Sequence, residues 1–492
     1  MNFKKKNIYT ILIILIFFVI IFKISLNMIN NTSGLSQKIK YLVPQSIRDV
    51  LRETLYKNKY LEIEILKLKK DLNKVTENKI ALKKKKLKLI SSENLESEKG
   101  QKFSILKYDY PYKGHFSWGK KPPGYIASYK NFILATSGTG EIIVFKKNDV
   151  GKDLLNFDTI DSNFSTFIEI DNYLRDGLFG IRDISVIKNE LFISFVDFNS
   201  CNKLSILRGN INFDFINFKK FFSFDGCREN FDGQDNEGLD ESAKEISFIG
   251  QRSGGRIVDY NDNNILFSIG DYGLTLFPPE AQNLKSLFGS LIKINLDNDN
   301  EVEIISKGLR NPQGLYFDIE NDLILITDHG PDGGDELNII DLNKEKFANF
   351  GWPISSYGIH YKSTIQKAKQ NGNLDRLLKG APLKKDHIKN GFKEPLIHFS
   401  PSIGISEVIK LPIIKNLQSN KDYLIAAMGG VISEGDKTFH HLRLNNDNNK
   451  IYYHDKFIIN ERIRDFYYDK DLNNLVLLLG NTPSIGFVKF KN

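Results

Sequence analysis

The sequence has only two cysteines, Cys201 and Cys227, in 492 residues. They allow one disulfide at most, which suits an exported chain. The alternative is two unrelated buried thiols. Net positive charge is also missing beyond residue 100. Residues 1–100 carry 21 Lys and Arg against 9 Asp and Glu, a net of +12, so within an overall +8 the remainder carries −4. A nucleic-acid-binding main domain is therefore disfavoured. Proline and glycine are missing between Pro44 and Gly100, and no A-x-A-like cleavage site follows the N-terminal apolar run. From about residue 101 helical periodicity is missing, as are βαβ alternation and any WD or kelch signature. No nucleophile–base arrangement supports a hydrolytic propeller.

What is present begins with an uncharged run at 8–22, IYTILIILIFFVIIF, preceded by Lys4, Lys5 and Lys6 and followed by Lys23. It is short for a span, but SLNMI extends it past a lysine that can snorkel. Without a cleavage site it reads as an uncleaved signal anchor over residues 1–30. The lysine cluster sets the N-terminus in the cytoplasm. The rest then lies in the periplasm or outside the cell, held to the inner membrane by a single pass. Residues 31–100 read as a charged helical stalk. Leu61, Ile65, Leu68, Leu72, Val75 and Leu82 follow alternating spacings of four and three, with Lys79 interrupting the seam. That is a heptad stripe. A parallel coiled coil would make a homo-oligomer; a single solvated spacer helix is the alternative.

Residues 101–492 alternate short β-type runs with Asn, Asp and Gly turns. FILATSGTGEIIVFKK (132–147), SLIKINLDNDNEVEIIS (290–306), GLYFDIENDLILITDHG (314–330) and RDFYYDKDLNNLVLLLG (464–480) each read as a hairpin. So many hairpins point to an all-β fold, and a propeller manages that many sheet edges by radial repetition. Six blades of about 65 residues each would use this length. Residues 308–353 concentrate turn glycines, a basic pair and an acidic pair. Arg310 opens a strand, where a propeller presents side chains near its channel, and its planar fork suits carboxylates. The turn HGPDGG can aim backbone carbonyls at a hard cation, with Asp335 and Glu336 just beyond.

GLRNPQGL, DHGPDGGDELN and NFGWPISSYG resemble the glucose/sorbosone dehydrogenase family, six-bladed β-propellers related to soluble quinoprotein glucose dehydrogenases. GLFG (177–180), SGGRI (253–257), SIGDYG (268–273), PSIG (401–404) and RIRDF (462–466) fall where family blocks fall. The resemblance covers roughly residues 105–490. It implies oxidation of a sugar hydroxyl with pyrroloquinoline quinone (PQQ) and Ca²⁺. It assigns Arg310, Asn311, Arg462 and Arg464 to the quinone. It assigns Gly330 and Pro331 to the catalytic Ca²⁺, and Asp335 and Glu336 to a second, structural Ca²⁺. Three positions depart from the family pattern. The catalytic His is Arg252, a quinone-binding Gln is Arg175, and a Lys facing the cofactor's carboxylates is Gly429. Oxidising a hydroxyl needs a group to take its proton, and arginine does not serve. His329, His360 and His398 do not fall at the lost position. The expectation is a membrane-anchored PQQ/Ca²⁺ sugar dehydrogenase. The alternative is a non-oxidising propeller that binds carbohydrate or another anionic ligand, or acts as an interaction module.

Overall fold

A computed structural model describes residues 85–112, 124–168, 180–199, 201–223, 252–273, 279–299, 301–411, 420–429 and 436–491. The chain divides into Met1–Lys83 and Lys84–Asn492. The expected anchor and most of the stalk lie outside the described residues, as do Arg175 and Cys227. Among the described residues no helix is long and apolar enough to cross a membrane.

The second unit is a ring of six antiparallel blades. Their innermost strands are Gly124–Tyr129, Gly180–Ile187, Gly254–Asn261, Pro312–Asp318, Ile405–Lys410 and Ile463–Asp469, for blades one to six. Each packs against the next, and the sixth against the first. The hairpins read from sequence are present; Ser290–Asn295, for example, pairs with Val302–Lys307. Blade six is built from both ends of the chain. Its strands Ile463–Asp469, Asn474–Leu479 and Ser484–Phe490 are joined by Lys102–Asp109.

One expectation is corrected here. Lys86–Glu96, assigned to the stalk, is a strand. Its first residues pair with blade one at Leu154–Asn156, and the rest with Lys102–Tyr108 of blade six. The heptad reading overlooked the alternation Lys86-Leu87-Lys88, which buries Leu87 and exposes the lysines as a half-buried strand requires. The partners that decide the matter are distant in sequence, so local periodicity does not reveal them.

Both faces of a blade are buried, so the strands read as continuous apolar runs. Leu323 and Leu325 pack toward blade five, whereas Ile324 and Ile326 pack toward blade three. Polar side chains enter at the start of the innermost strands. In five of these six strands the pairing slips by a bulge, at Arg182, Gly255–Arg256, Gln313, Ser406–Glu407 and Arg464. A bulge bends the strand and re-aims a side chain, which here brings charge to the axis.

Arg256 is the hub. Its Nη1 lies 3.0 Å from Asp183, 3.0 Å from Glu407 and 2.7 Å from Asp465, and its Nε donates to the Gln313 carbonyl at 2.6 Å. The carboxylates also bind neighbouring blades. Asp183 accepts from the Ile257 amide at 2.7 Å, Glu407 from Leu315 at 3.0 Å and Asp465 from Ile126 at 2.9 Å.

Candidate functional site

The site residues gather where the innermost strands of blades three, four and six begin. Arg310 and Asn311 precede Pro312–Asp318, and Asp328 at the end of the paired strand holds both. Its carboxylate accepts from the Arg310 amide at 2.8 Å and the Asn311 amide at 2.6 Å. Burial pushes the Asp328 carboxyl up to about 7. The Arg310 guanidinium donates through Nη1 to the His329 carbonyl at 2.5 Å, and its buried Nε has no partner. The Asn311 side-chain oxygen accepts from Gln313 at 2.8 Å. Gln313 in turn accepts from Arg464 Nη1 at 3.2 Å. A continuous chain of hydrogen bonds thus joins the Arg310–Asn311 pair of blade four to blade six.

Arg464 also donates to the Tyr125 hydroxyl, and its guanidinium carbon lies 5.0 Å from that ring's centroid. Its Nε is buried and unpartnered. Arg462 donates to the carbonyls of Met428 at 2.7 Å and Gly429 at 3.1 Å. Burial and the neighbouring Arg464 lower its pKa. At the slot where the family pattern places a lysine, this chain therefore presents the Gly429 backbone to an arginine.

Arg252 precedes the innermost strand of blade three and pairs with the fully buried Asp271. Asp271 also accepts from the Trp352 indole at 2.7 Å and the Gly273 amide at 2.9 Å. The guanidinium carbons of Arg252 and Arg310 lie 5.6 Å and 5.4 Å from the Trp352 ring centroid. Burial, and next Arg310, lower the Arg252 pKa to about 10. At neutral pH it stays charged, so it takes no proton from a hydroxyl. His360 responds to the same two arginines. Burial lowers its pKa, with Arg310 and Arg252 adding to the effect, and its Nε2 lies 2.8 Å from the Ala381 carbonyl. With Nε2 as the donor, Nδ1 is the basic nitrogen.

Of the groups assigned to Ca²⁺, the Pro331 carbonyl and the two carboxylates contact protein groups. The Pro331 carbonyl accepts from the Gly334 amide and the Ser402 hydroxyl, each at 3.0 Å. Asp335 is fully buried. One of its oxygens contacts His329 Nδ1 at 2.7 Å and the Gly330 amide at 3.1 Å, and the other the Ile405 amide at 2.9 Å. Glu336 lies 3.3 Å from His387 and accepts from Asn338 at 3.4 Å. These carboxylates act as internal clamps. Among the described residues no group of three or more His, Cys, Asp or Glu side chains is placed to hold a metal. The arginines, by contrast, fit a ligand rich in carboxylates, since Arg310 and Arg464 each leave a buried donor free.

Sequence reasoning missed Asp271, Gln313, Asp328 and Trp352. A signal was available for three of them. Asp271, Gln313 and Asp328 are polar residues at the ends of Ile- and Leu-rich strands, where a propeller turns side chains toward its channel. Trp352 lay in the NFGWPISSYG block, which was used for the resemblance alone. His398 stacks on Tyr357 with 4.0 Å between ring centroids, away from the arginine cluster.

The family model described as Glucose / Sorbosone dehydrogenase matches residues 234–484. An uncharacterized protein of Synechocystis sp. is 31% identical over 252 residues, 46% of this chain and 53% of that protein. The aldose sugar dehydrogenase YliI of Escherichia coli is 33% identical over 133 residues, 24% of this chain and 34% of that protein. The matched segments thus span about half or less of these curated relatives. Among solved structures, the soluble aldose sugar dehydrogenase of Escherichia coli aligns with a TM-score of 0.55 at 18% identity, over 82% of this chain and 99% of that one. A glucose dehydrogenase structure gives 0.55 at 20% identity, over 76% and 97%. Those identities speak to the fold alone. With the family model matching just over half of its length, the chain belongs to the glucose/sorbosone dehydrogenase family.

Proposed function

We propose that this propeller is a sugar dehydrogenase that binds PQQ through Arg310, Asn311, Arg462 and Arg464. In this reading it oxidises an aldose hydroxyl on the extracytoplasmic side of the membrane to which residues 1–30 anchor it. The observation that carries the reading is the pair of buried, unpartnered Nε donors on Arg310 and Arg464, joined through Gln313 and Asn311. Buried donors left without acceptors are costly, and a carboxylate-bearing ligand relieves that cost. When bound, the quinone supplies a two-electron acceptor for hydride from the sugar carbon. The chain's own part is to hold the ligand's carboxylates and to receive the hydroxyl proton. Arg252 is charged and unsuited to the second task, whereas His360 is held neutral beside the same arginines. No step is assigned to Ca²⁺, because the Pro331 carbonyl and the Asp335 carboxylate already accept protein hydrogen bonds.

A second reading has its own observation. The Arg252–Asp271 ion pair places a charged group where the family pattern has its base, which favours a propeller that binds an anionic ligand without oxidising it. The test uses the full-length chain with PQQ and Ca²⁺, monitored by absorbance while aldoses are added. A bound quinone reduced by an aldose is the expected result. Binding without reduction favours the second reading, and no binding at high PQQ refutes the first.

A further inference from the structure

Arg252 and Arg310 bring two guanidinium groups to one indole, since each carbon lies within 5.6 Å of the Trp352 centroid. The two like charges repel, which helps lower the Arg252 pKa, and burial strengthens the repulsion. Among the described residues, only one carboxylate is hydrogen-bonded to either guanidinium: Asp271, on Arg252. Asp328 faces the backbone amides of Arg310 and Asn311, and the Arg310 guanidinium donates to a neutral carbonyl. The Nε atoms of both arginines are buried without partners. Asp328 interacts electrostatically with Arg310, yet each arginine keeps a buried N–H donor with no acceptor among the described residues. The Arg310 donor goes to the quinone in the proposed function, which leaves the Arg252 Nε for the sugar. A neutral aldose offers it hydroxyl acceptors, whereas a carboxylate offers a stronger, charge-assisted one.

We propose that the sugar taken by this site carries a carboxylate, as a uronic acid does, and that Arg252 selects it over a neutral aldose. The inference rests on the reading that this channel holds a sugar. It does not require that the sugar be oxidised. Arg252 is then a specificity-determining residue rather than the remnant of a lost base.

The test is calorimetric titration of the full-length chain, with and without PQQ, using D-glucuronate, D-glucose, D-glucose 6-phosphate and inorganic phosphate. A charge-assisted hydrogen bond at a buried site predicts glucuronate binding at least about tenfold tighter than glucose. Arg252→Gln is expected to bring the two sugars to similar affinity. If that variant fails to fold, Arg252→Lys keeps the charge and is expected to retain a smaller preference. Equal binding of glucuronate and glucose by the wild type overturns the inference, as does a full preference surviving either substitution. Tighter binding of glucose 6-phosphate overturns the assignment to a carboxylate, and phosphate binding as tightly as either anionic sugar overturns the assignment to a sugar. PQQ binding without glucuronate binding sinks this inference alone. Failure of PQQ with retained glucuronate binding sinks the quinone reading alone.

Discussion

Replacing Arg256 with methionine removes the hub of the ring while keeping much of the side-chain volume. The Arg256 side chain is 4% exposed and faces three carboxylates on blades two, five and six. Breaking a buried ion pair by deleting one partner costs about 3–5 kcal/mol, because the remaining charge stays buried. The same change removes the hydrogen bond to the Gln313 carbonyl. The pH dependence has a definite sign. Burial raises the carboxyls of Asp183 and Glu407, and Arg256 opposes that rise. Without Arg256 both rise further in the folded state. A raised carboxyl costs nothing below its unfolded pKa; its penalty grows from there up to the folded pKa and is constant above it. With Arg256 present Asp183 sits at about 7 and Glu407 at about 8, so the variant should lose more stability at pH 8 than at pH 5, by up to about 1.4 kcal/mol from Asp183. Urea unfolding followed by tryptophan fluorescence at both pH values measures this. A loss that is the same at both, or below about 1 kcal/mol at pH 8, would refute the reasoning about a buried charge cluster.

Two further perturbations follow from the site. Asp335→Asn keeps the shape but weakens the contacts to His329 and to the amides of Gly330 and Ile405, at a cost of about 1.5–3 kcal/mol near neutrality. His329 and these amides hold the Asp335 carboxyl below its usual range despite burial, so its contribution is lost as pH falls. The gap between variant and wild type should narrow in urea unfolding as pH falls below about 4, and a constant gap would contradict the clamp. His360→Gln should preserve PQQ binding while lowering the rate of aldose reduction of the bound quinone. In the wild type that rate should rise with pH through a value below the ordinary imidazole value of about 6.5. An unchanged rate in the variant would remove His360 from proton transfer.

Much of the fold was legible because hairpins announce themselves locally. The run Gly314–Gly330 shows two apolar strands around an Asn-Asp turn, and the structure pairs Leu315–Asp318 with Leu323–Ile326. Lys86–Glu96 was misread because lysines alternating with leucines satisfy several periods at once, and only its distant partners choose among them. At the site, Arg310, Asn311, Arg462 and Arg464 were legible through their blocks, and the structure brings them into one network. Asp271 and Asp328 were not singled out, because their role lies in backbone amides and an indole contributed by other turns. Gly330 and Pro331 fall in a turn and Asp335 and Glu336 open the strand just beyond it, as expected, but a sequence does not show which protein groups the Pro331 carbonyl and the two carboxylates contact.

The sixth blade sets Lys102–Asp109 beside Ser484–Phe490, so the earliest and latest strands of the propeller are neighbours. A chain emerging N-terminus first holds five blades as an open arc until its last hairpin arrives. Through that interval the strand at 102–109 presents an unpaired edge, the kind of surface on which chains aggregate. Closing so long a loop makes assembly slow relative to the local hairpins. A product cut short before residue 484 would keep most of its core and still lack the strand that closes the ring against Lys102–Asp109.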